Sequence, residues 1–406
     1  MTRFAIPDGG KRPWAASLCL VTSGLALLSA PSSARDAGRV QRIAVGRSAA
    51  LAACEGLDAS NGNRARVSFP TAPELVFRTR LTGGIGQAPA SDAQGNLIVV
   101  HAEPRLSKLD AKGRTLWSER LASEASSAPV LTSAGSILIV TRDGEALFYS
   151  SAGKLQAKHA LPFADPRRRS LAIPTSNGGA LLANGSDLFE LDESGAVVRK
   201  LHGSGALSTI AEANTALIAV SDNGRVQIAH STGDLALLGS FGGNVSEGAA
   251  VSAGKLFAIV DGHKWCALDL TTGQVVTLAS EPGLTLTGPV AMLEAPAAAL
   301  VADGGFVSIR AKDGSEGART ALSAAVGQGF DPSARGLHAA LVVSDQRGAI
   351  AAVRSGSDAL ILREGGNALR LDDTSCLDPF RPTPSATGIV FACRSGQLFG
   401  ISDKAP

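Results

Sequence analysis

The chain is 406 residues long, with 38 basic and 36 acidic residues, 18% charged and 45% hydrophobic. A formal charge of +2 leaves no basic excess for phosphate contacts, so nucleic acid is not the expected partner, and the apolar content excludes a chain disordered throughout. Aromatics are only 4%, so the core has to be built from Val, Leu, Ile and Ala.

Residues 1–34 read as a signal peptide. Arg3, Lys11 and Arg12 precede an apolar run from Leu18 to Leu28, and Ser32 and Ala34 supply the small residues of a cleavage site. The run is shorter than the ~20 residues of a spanning helix, so an uncleaved anchor is the weaker alternative, and no later window resembles a transmembrane segment. Cys19 follows Leu18 where a lipobox wants a small side chain. The mature protein is therefore expected to be exported, periplasmic or secreted, and near neutral. Residues 35–68 form a polar, Ala/Arg-rich lead segment or strap, with a short helical candidate at Ser48–Cys54. Arg167-Arg168-Arg169 is expected to be a solvated loop rather than a phosphate clamp.

From residue 69 onward a unit recurs about every 40 residues, the period of a four-stranded propeller blade. Ala88–Leu121 carries it clearly: Ala-Pro, a Gly turn, an apolar strand, a polar turn, a strand ending in Leu-Asp, a second Gly turn, and a strand with Trp. Further copies start at Ala128, Ile173, Ile210 and Ala250, with weaker ones at Val290, Asp331 and Pro384. Their first turns fall near Gly95, Gly135, Gly178, Asn214, Gly254, Ala295, Gly336 and Gly388. Short apolar runs between Gly, Asn and Asp turns are antiparallel strands. The fold is thus predicted to be all-β, a single β-propeller of about eight four-stranded antiparallel blades, with seven the alternative. The last copy stops after its third strand, and Pro73–Leu81 can supply the fourth, closing the ring with an N-terminal strand and leaving no free edge there. Removing residues 35–68 should then be tolerated, whereas removing 73–81 should expose an edge.

The copies resemble the PQQ-like (quinoprotein-type) propeller repeat. Leu109-Asp110-Ala-Lys-Gly113-Arg-Thr-Leu-Trp117 matches its pattern fully, and Leu268-Asp269 with Gly273 and Leu191-Asp192 with Gly195 match in part. The resemblance covers residues 69–403. Within that superfamily the chain is closer in style to the propeller subunits of the outer-membrane barrel assembly machinery than to quinoprotein dehydrogenases, although it lacks their lipobox and most repeat tryptophans. Trp117 and Trp265 remain beyond the leader and are expected to wedge between blades.

The enzyme signals are weak. The paired cysteines that clamp a quinone in the dehydrogenases are missing, so no PQQ or other cofactor is expected. The histidines come one per repeat or fewer, and His263 near Cys266 is an isolated spacing. No catalytic or metal-binding residue is assigned. Asp261-Gly262 and Asp303-Gly304-Gly305 read as hairpin turns. Cys54, Cys266, Cys376 and Cys393 remain after export and allow three full pairings. Cys376–Cys393 is favoured, since the pair flanks the longest connection between copies; Cys54 is the rival partner. The expected function is a non-catalytic scaffold that binds an envelope protein, peptide or polysaccharide through a propeller face. The alternative is an enzyme or small-ligand binder with its site in the central channel.

Overall fold

The computed structural model describes residues 50–61, 63–163, 165, 168–230, 233–245, 248–280, 286–292, 298–302, 306–310, 316–321, 341–344, 350–353, 359–362, 368–371, 376, 378–386 and 388–403. Residues 1–34 with Cys19, residues 35–49, Arg167, His338, Ala295, Gly336 and Asp303-Gly304-Gly305 lie outside them. Among the described residues there are eight four-stranded antiparallel sheets. Blade 1 is Ala90–Ser91, Leu97–Val100, Arg105–Leu109 and Thr115–Arg120. Blade 2 is Val130–Leu131, Ile137–Val140, Glu145–Tyr149 and Leu155–Ala160, and blade 3 is Leu171–Pro174, Ala180–Asn184, Asp187–Leu191 and Val197–His202. Blade 4 is Leu207–Ala213, Ala216–Ser221, Arg225–Ala229 and Ala236–Ser240, and blade 5 is Ala249–Ser252, Lys255–Val260, Lys264–Asp269 and Val275–Ser280. Blade 6 is Leu286–Met292, Ala298–Ala302, Phe306–Arg310 and Glu316–Ala321, and blade 7 is Leu341–Ser344, Ile350–Val353, Ala359–Leu362 and Ala368–Leu371. Blade 8 takes Thr383–Ser385, Gly388–Ala392 and Gln397–Asp403 from the C-terminus and Pro73–Arg80 from the N-terminal side.

The first strands of neighbouring blades touch one another and so surround the central channel. Burial follows radius. Second strands such as Leu97–Val100 and Ile137–Val140 are buried at every position, because a blade covers each of their faces. Outer strands such as Thr115–Arg120 are mostly exposed, which is why they read as polar. With few aromatics, the layers between blades are filled by Leu, Ile, Val and Ala.

Ring closure uses the expected strand. Pro73–Arg80 runs antiparallel to Gln397–Asp403, from Pro73 opposite Asp403 to Arg80 opposite Gln397. Asp403 anchors the entry, its carboxylate accepting from the Thr71 and Ala72 amides at 2.5 and 2.7 Å.

One copy shifts by a strand. Leu341–Ser344, expected as the second strand of the copy beginning at Asp331, is the first strand of blade 7. Residues 322–340, between blades 6 and 7, lie outside the described residues. Nothing in that copy carries the Leu-Asp-x-x-Gly signature, so a run of apolar strands had no marker to fix its phase. The helical candidate at Ser48–Cys54 also differs: Ala52 makes an antiparallel bridge to Ser91, and the inner strand's backbone supplies partners that a helix would have to supply itself.

Cys376 and Cys393 form a disulfide with Cα atoms 5.6 Å apart, while Cys54 and Cys266 are free and buried. The bridge holds the approach to blade 8 against its second strand, where Phe380 also donates to the Ala392 carbonyl. With a sequence separation of 17, replacing both cysteines by Ala should cost about 3 kcal/mol. Denaturant unfolding of the oxidised protein and the double variant measures this; coincident curves would reject a stabilising role for the bridge.

Trp265 is fully buried in the third strand of blade 5, stacked on Phe257 at 5.9 Å and packed with Leu286 and Met292 of blade 6. It is a wedge between blades. Its Nε1 has no hydrogen-bond partner among the described residues. Trp265→Ala should therefore cost about 3–5 kcal/mol, whereas Trp265→Phe, which removes the unpaired donor along with some volume, should cost distinctly less. Equal losses in thermal melts of the two variants would contradict this.

Candidate functional site

The most informative feature lies in the channel. Residues 50–65, Ala-Leu-Ala-Ala-Cys-Glu-Gly-Leu-Asp-Ala-Ser-Asn-Gly-Asn-Arg-Ala, contain many small side chains, and Ala52, Ala53, Cys54, Ala59 and Ala65 are almost fully buried. The segment runs round the inner wall in blade order. Leu51 and Ala52 donate to the Ser91 carbonyl of blade 1 and Ser91 donates back to Ala52. Leu131 of blade 2 donates to Ala53, Glu212 of blade 4 to Ala59, and Val251 of blade 5 to Ser60. Blade 7 completes the circuit, Ala65 donating to Ser344 and Ser344 to Asn63. All five strand residues lie at or near the end of their inner strands, so the loop pairs one level of the ring. Inner strands otherwise present unpaired backbone groups to the channel, and the loop satisfies them. Fitting so tight a path puts Leu57, a buried residue with a side chain, at φ 72. Such a conformation persists only where the surroundings over-determine it.

Between this loop and the beginnings of the inner strands of blades 3 and 4 is a cavity of about 160 Å³. Its charged lining residues are Glu55 of the loop, Arg169 from the approach to blade 3, and Arg381 from the approach to blade 8. Arg169 makes a hydrogen-bonded ion pair with the Glu55 carboxylate. The Arg381 guanidinium donates to Asn63 Oδ1 at 2.7 Å and reaches the Glu55 carbonyl at 3.4 Å. Burial alone would raise the Glu55 carboxyl, but the two arginines hold it below the ordinary carboxylate range, and Glu55 in turn raises Arg169. Arg168 and Arg169 are exposed, as expected of a solvated loop, and Arg169 in addition pairs with the Glu55 carboxylate.

The repeat residues sit at the seams between blades. Asp110 Oδ1 accepts the amides of Lys112 and Arg114, each at 2.9 Å, and Asp192 Oδ1 accepts those of Ser194 and Ala196. Asp269 does the same for Thr271 and Thr272. These Asp-capped turns end in Gly113, Gly195 and Gly273 at positive φ. A Cβ on Gly113 would stand 2.7 Å from the Phe77 ring of blade 8, so the glycine is required by contact as well as by φ. The turns of blades 1 to 4 also accept a bond from the outer strand before them. Thr79 Oγ1 donates to the Gly113 carbonyl at 3.2 Å, Trp117 Nε1 to Ser151 at 3.0 Å, and Arg199 Nη1 to His230 at 2.6 Å. His159 Nε2 lies 3.3 Å from the Ser194 carbonyl in the same arrangement. The tryptophan role of the repeat is therefore kept by Thr, His and Arg where tryptophan is lost.

The remaining candidates do not converge. His263 is bonded to the Asp261 carbonyl at its own turn, while Cys266 is buried against Thr277. No group of three or more His, Cys, Asp or Glu is placed to hold a metal among the described residues.

Residues 44–162 match the family model described as "Outer membrane protein assembly factor BamB". The repeats fit the PQQ-like family in its BamB style. Among solved structures this propeller is similar to BamB from Moraxella catarrhalis, at 17% identity and a TM-score of 0.63, over 83% of this chain and 99% of that one. It is also similar to the computationally designed Ika8 protein (13% identity, TM-score 0.63, 80% and 98% of the two chains). The C-terminal WD40 domain of Sif2 aligns at 10% identity and a TM-score of 0.61, over 83% and 100%. At such identities the likeness is one of fold. No curated protein matches the chain.

The repeat residues expected from sequence are thus structural parts of the PQQ-like propeller, and the disulfide lies at its closure. The channel loop and the Glu55–Arg169–Arg381 cluster were not found from sequence. The signal that was available is the run of Ala, Gly, Ser and Asn from 50 to 65, small residues suited to a narrow passage.

Proposed function

We propose that the protein is a non-catalytic, exported propeller scaffold that binds an envelope protein or peptide, with polysaccharide a further class of partner. Residues 1–34 direct export and the mature chain begins near Arg35, in the periplasm or outside the cell. The observation that carries the scaffold reading is the loop of residues 50–65, which takes up inner-strand backbone groups in blades 1, 2, 4, 5 and 7. A channel lined this way leaves less room for a central catalytic site, and the cavity beside the loop, about 160 Å³, is below the ~300 Å³ at which ligand pockets begin. The ring's loop-bearing faces remain for partners. The match of residues 44–162 to an outer-membrane assembly factor supports an envelope setting, and no helix among the described residues is long and apolar enough to cross a membrane.

Crosslinking and affinity capture from the native envelope test this reading, with N-terminal sequencing of the fractionated protein. A specific envelope partner and a start near Arg35 are the expected results. An intact Met1 on a cytosolic product defeats the export reading, and recovery of turnover without a binding partner defeats the scaffold reading.

A further inference from the structure

We infer that the rim of the ring at blades 4 and 5 is a strand-addition site: an extended, uncharged, apolar segment of the partner pairs as a fifth strand on the outer edge of Val275–Ser280, next to Leu237. The inference rests on the scaffold reading, adds the rim to the loop-bearing faces, and gives the partner a chemistry. Each blade's outer strand ends its sheet, so among the described residues no strand pairs with its outer edge. Such an edge presents backbone donors and acceptors that another strand can take up, and proteins guard it with charged side chains. Six of the eight outer strands carry such charges, with Arg80, Arg120, Lys158, Lys200, Arg319 and Arg370 as one example from each. The outer strands of blades 4 and 5, Ala-Leu-Leu-Gly-Ser and Val-Val-Thr-Leu-Ala-Ser, carry none. These two neighbours also hold the two most exposed large hydrophobic side chains among the described residues, Leu237 at 65% and Val276 at 57%.

The seam between the two blades is apolar as well. At the seams leading into blades 1 to 4 a side chain crosses from the outer strand to the next turn; at this one the backbones themselves meet. A Cβ on Gly273 would stand 2.0 Å from the Leu238 carbonyl oxygen, and one on Gly239 would stand 2.5 Å from the Gly273 carbonyl oxygen. Leu238, Leu270 and Val275 pack on one buried cluster, so exposed Leu237 and Val276 adjoin a shared packing layer. Two properties of the edge decide what covers it. Open amides and carbonyls are matched by another extended backbone, which supplies affinity, while alternate side chains supply specificity. With no charge on the strand, a charged segment would lose hydration there without gaining a partner. A second copy of the chain fits less well. Both strands are bulged near the middle, where the register shifts between Val226 and Gln227 and between Trp265 and Cys266. Pairing two copies about a two-fold axis would set bulge against bulge, whereas a flexible partner segment has one bulge to follow.

The test uses the full mature chain and a labelled peptide with a central Val-Thr-Val-Thr-Val run, read by fluorescence anisotropy and by amide hydrogen exchange. The wild type should bind it and gain exchange protection at 275–280. The same peptide with alternate backbone amides N-methylated, in either phase, or with Lys in place of each Val, should not bind. Val276→Lys and Leu237→Lys should each weaken binding about tenfold or more, the loss of one buried apolar side chain's contact. Val198→Lys, on the already charged outer strand of blade 3, should change nothing. All three positions are exposed, so the thermal melts of the variants should match the wild type. Absence of peptide binding, equal binding of the plain and N-methylated peptides, protection elsewhere than 275–280, wild-type affinity in Val276→Lys and Leu237→Lys, or self-association of the protein in place of peptide binding overturns the inference. If envelope capture by the Val276→Lys/Leu237→Lys protein keeps the wild-type partner, this site is wrong and the scaffold reading survives; if capture yields none even with the wild type, the scaffold reading itself has failed.

Discussion

A chain lacking Pro73–Arg80 should lose solubility on expression and refolding, with the largest effect of any short deletion. Those residues are the outer strand of blade 8 and pair with Gln397–Asp403 along nearly their whole length. Without them Gln397–Asp403 becomes an edge, with Leu398, Phe399 and Ile401 buried in the intact ring and exposed in its absence. A long apolar edge strand is a template for intermolecular pairing. The ring also loses its hydrogen-bonded latch, since among the described residues no other strand pairs the chain's two ends. Size-exclusion chromatography and light scattering are the measurements. A monomeric, soluble deletion product would show that closure by this strand is dispensable.

Deleting residues 50–65 while keeping Pro73–Arg80 should give a protein that still forms blades but is destabilised by about 5 kcal/mol or more. Eight backbone hydrogen bonds join this loop to inner strands, and each contributes roughly 0.5–1.5 kcal/mol net. Buried apolar contacts of Ala52, Leu57 and Ala59 with the blades are lost as well. The far-ultraviolet signature of β-structure should persist while the denaturation midpoint falls. Sequence reading alone anticipated the opposite, that the whole of 35–68 could go. An unchanged midpoint would return the segment to the status of a passive lead. A milder companion, Ala59→Leu, forces extra methylenes into a closed site and should cost about 1–3 kcal/mol.

How much was visible beforehand divides along a physical line. The blades were legible because a covered second strand must be continuously apolar and an outer strand must not be, which leaves a repeating trace. Ring closure was legible because a blade one strand short at Ser402–Asp403 demands a strand elsewhere. Asp110, Asp192 and Asp269 marked their turns because a carboxylate two residues before its amide partners is a local device. The phase of blade 7 was lost where no such marker exists. The seam donors Thr79, His159 and Arg199 were hidden because they share a role with Trp117 and no chemistry with it. The channel loop was hidden for a deeper reason: its partners are backbone groups, which every residue carries, and only their placement at one level of the ring makes them a binding surface for the loop. Glu55 and Arg169 are 114 positions apart and belong to no common motif.

The circuit of residues 50–65, followed directly by Pro73–Arg80, has a consequence for biosynthesis. Leu51 and Ala52 meet Ser91 soon after synthesis, but the later residues of this stretch find their partners only when the chain is nearly complete. Ala65 waits for Ser344, and Pro73 waits for Asp403. Domains are made N-terminal end first, at ~5–20 residues per second, and 279 positions separate Ala65 from Ser344 while 330 separate Pro73 from Asp403. Contacts of such long range also slow folding after release. During that interval the inner loop and the closing strand are both accessible, one rich in small residues and the other an unpaired edge. A protease reaching the nascent chain in that interval would cut where the finished ring is most protected.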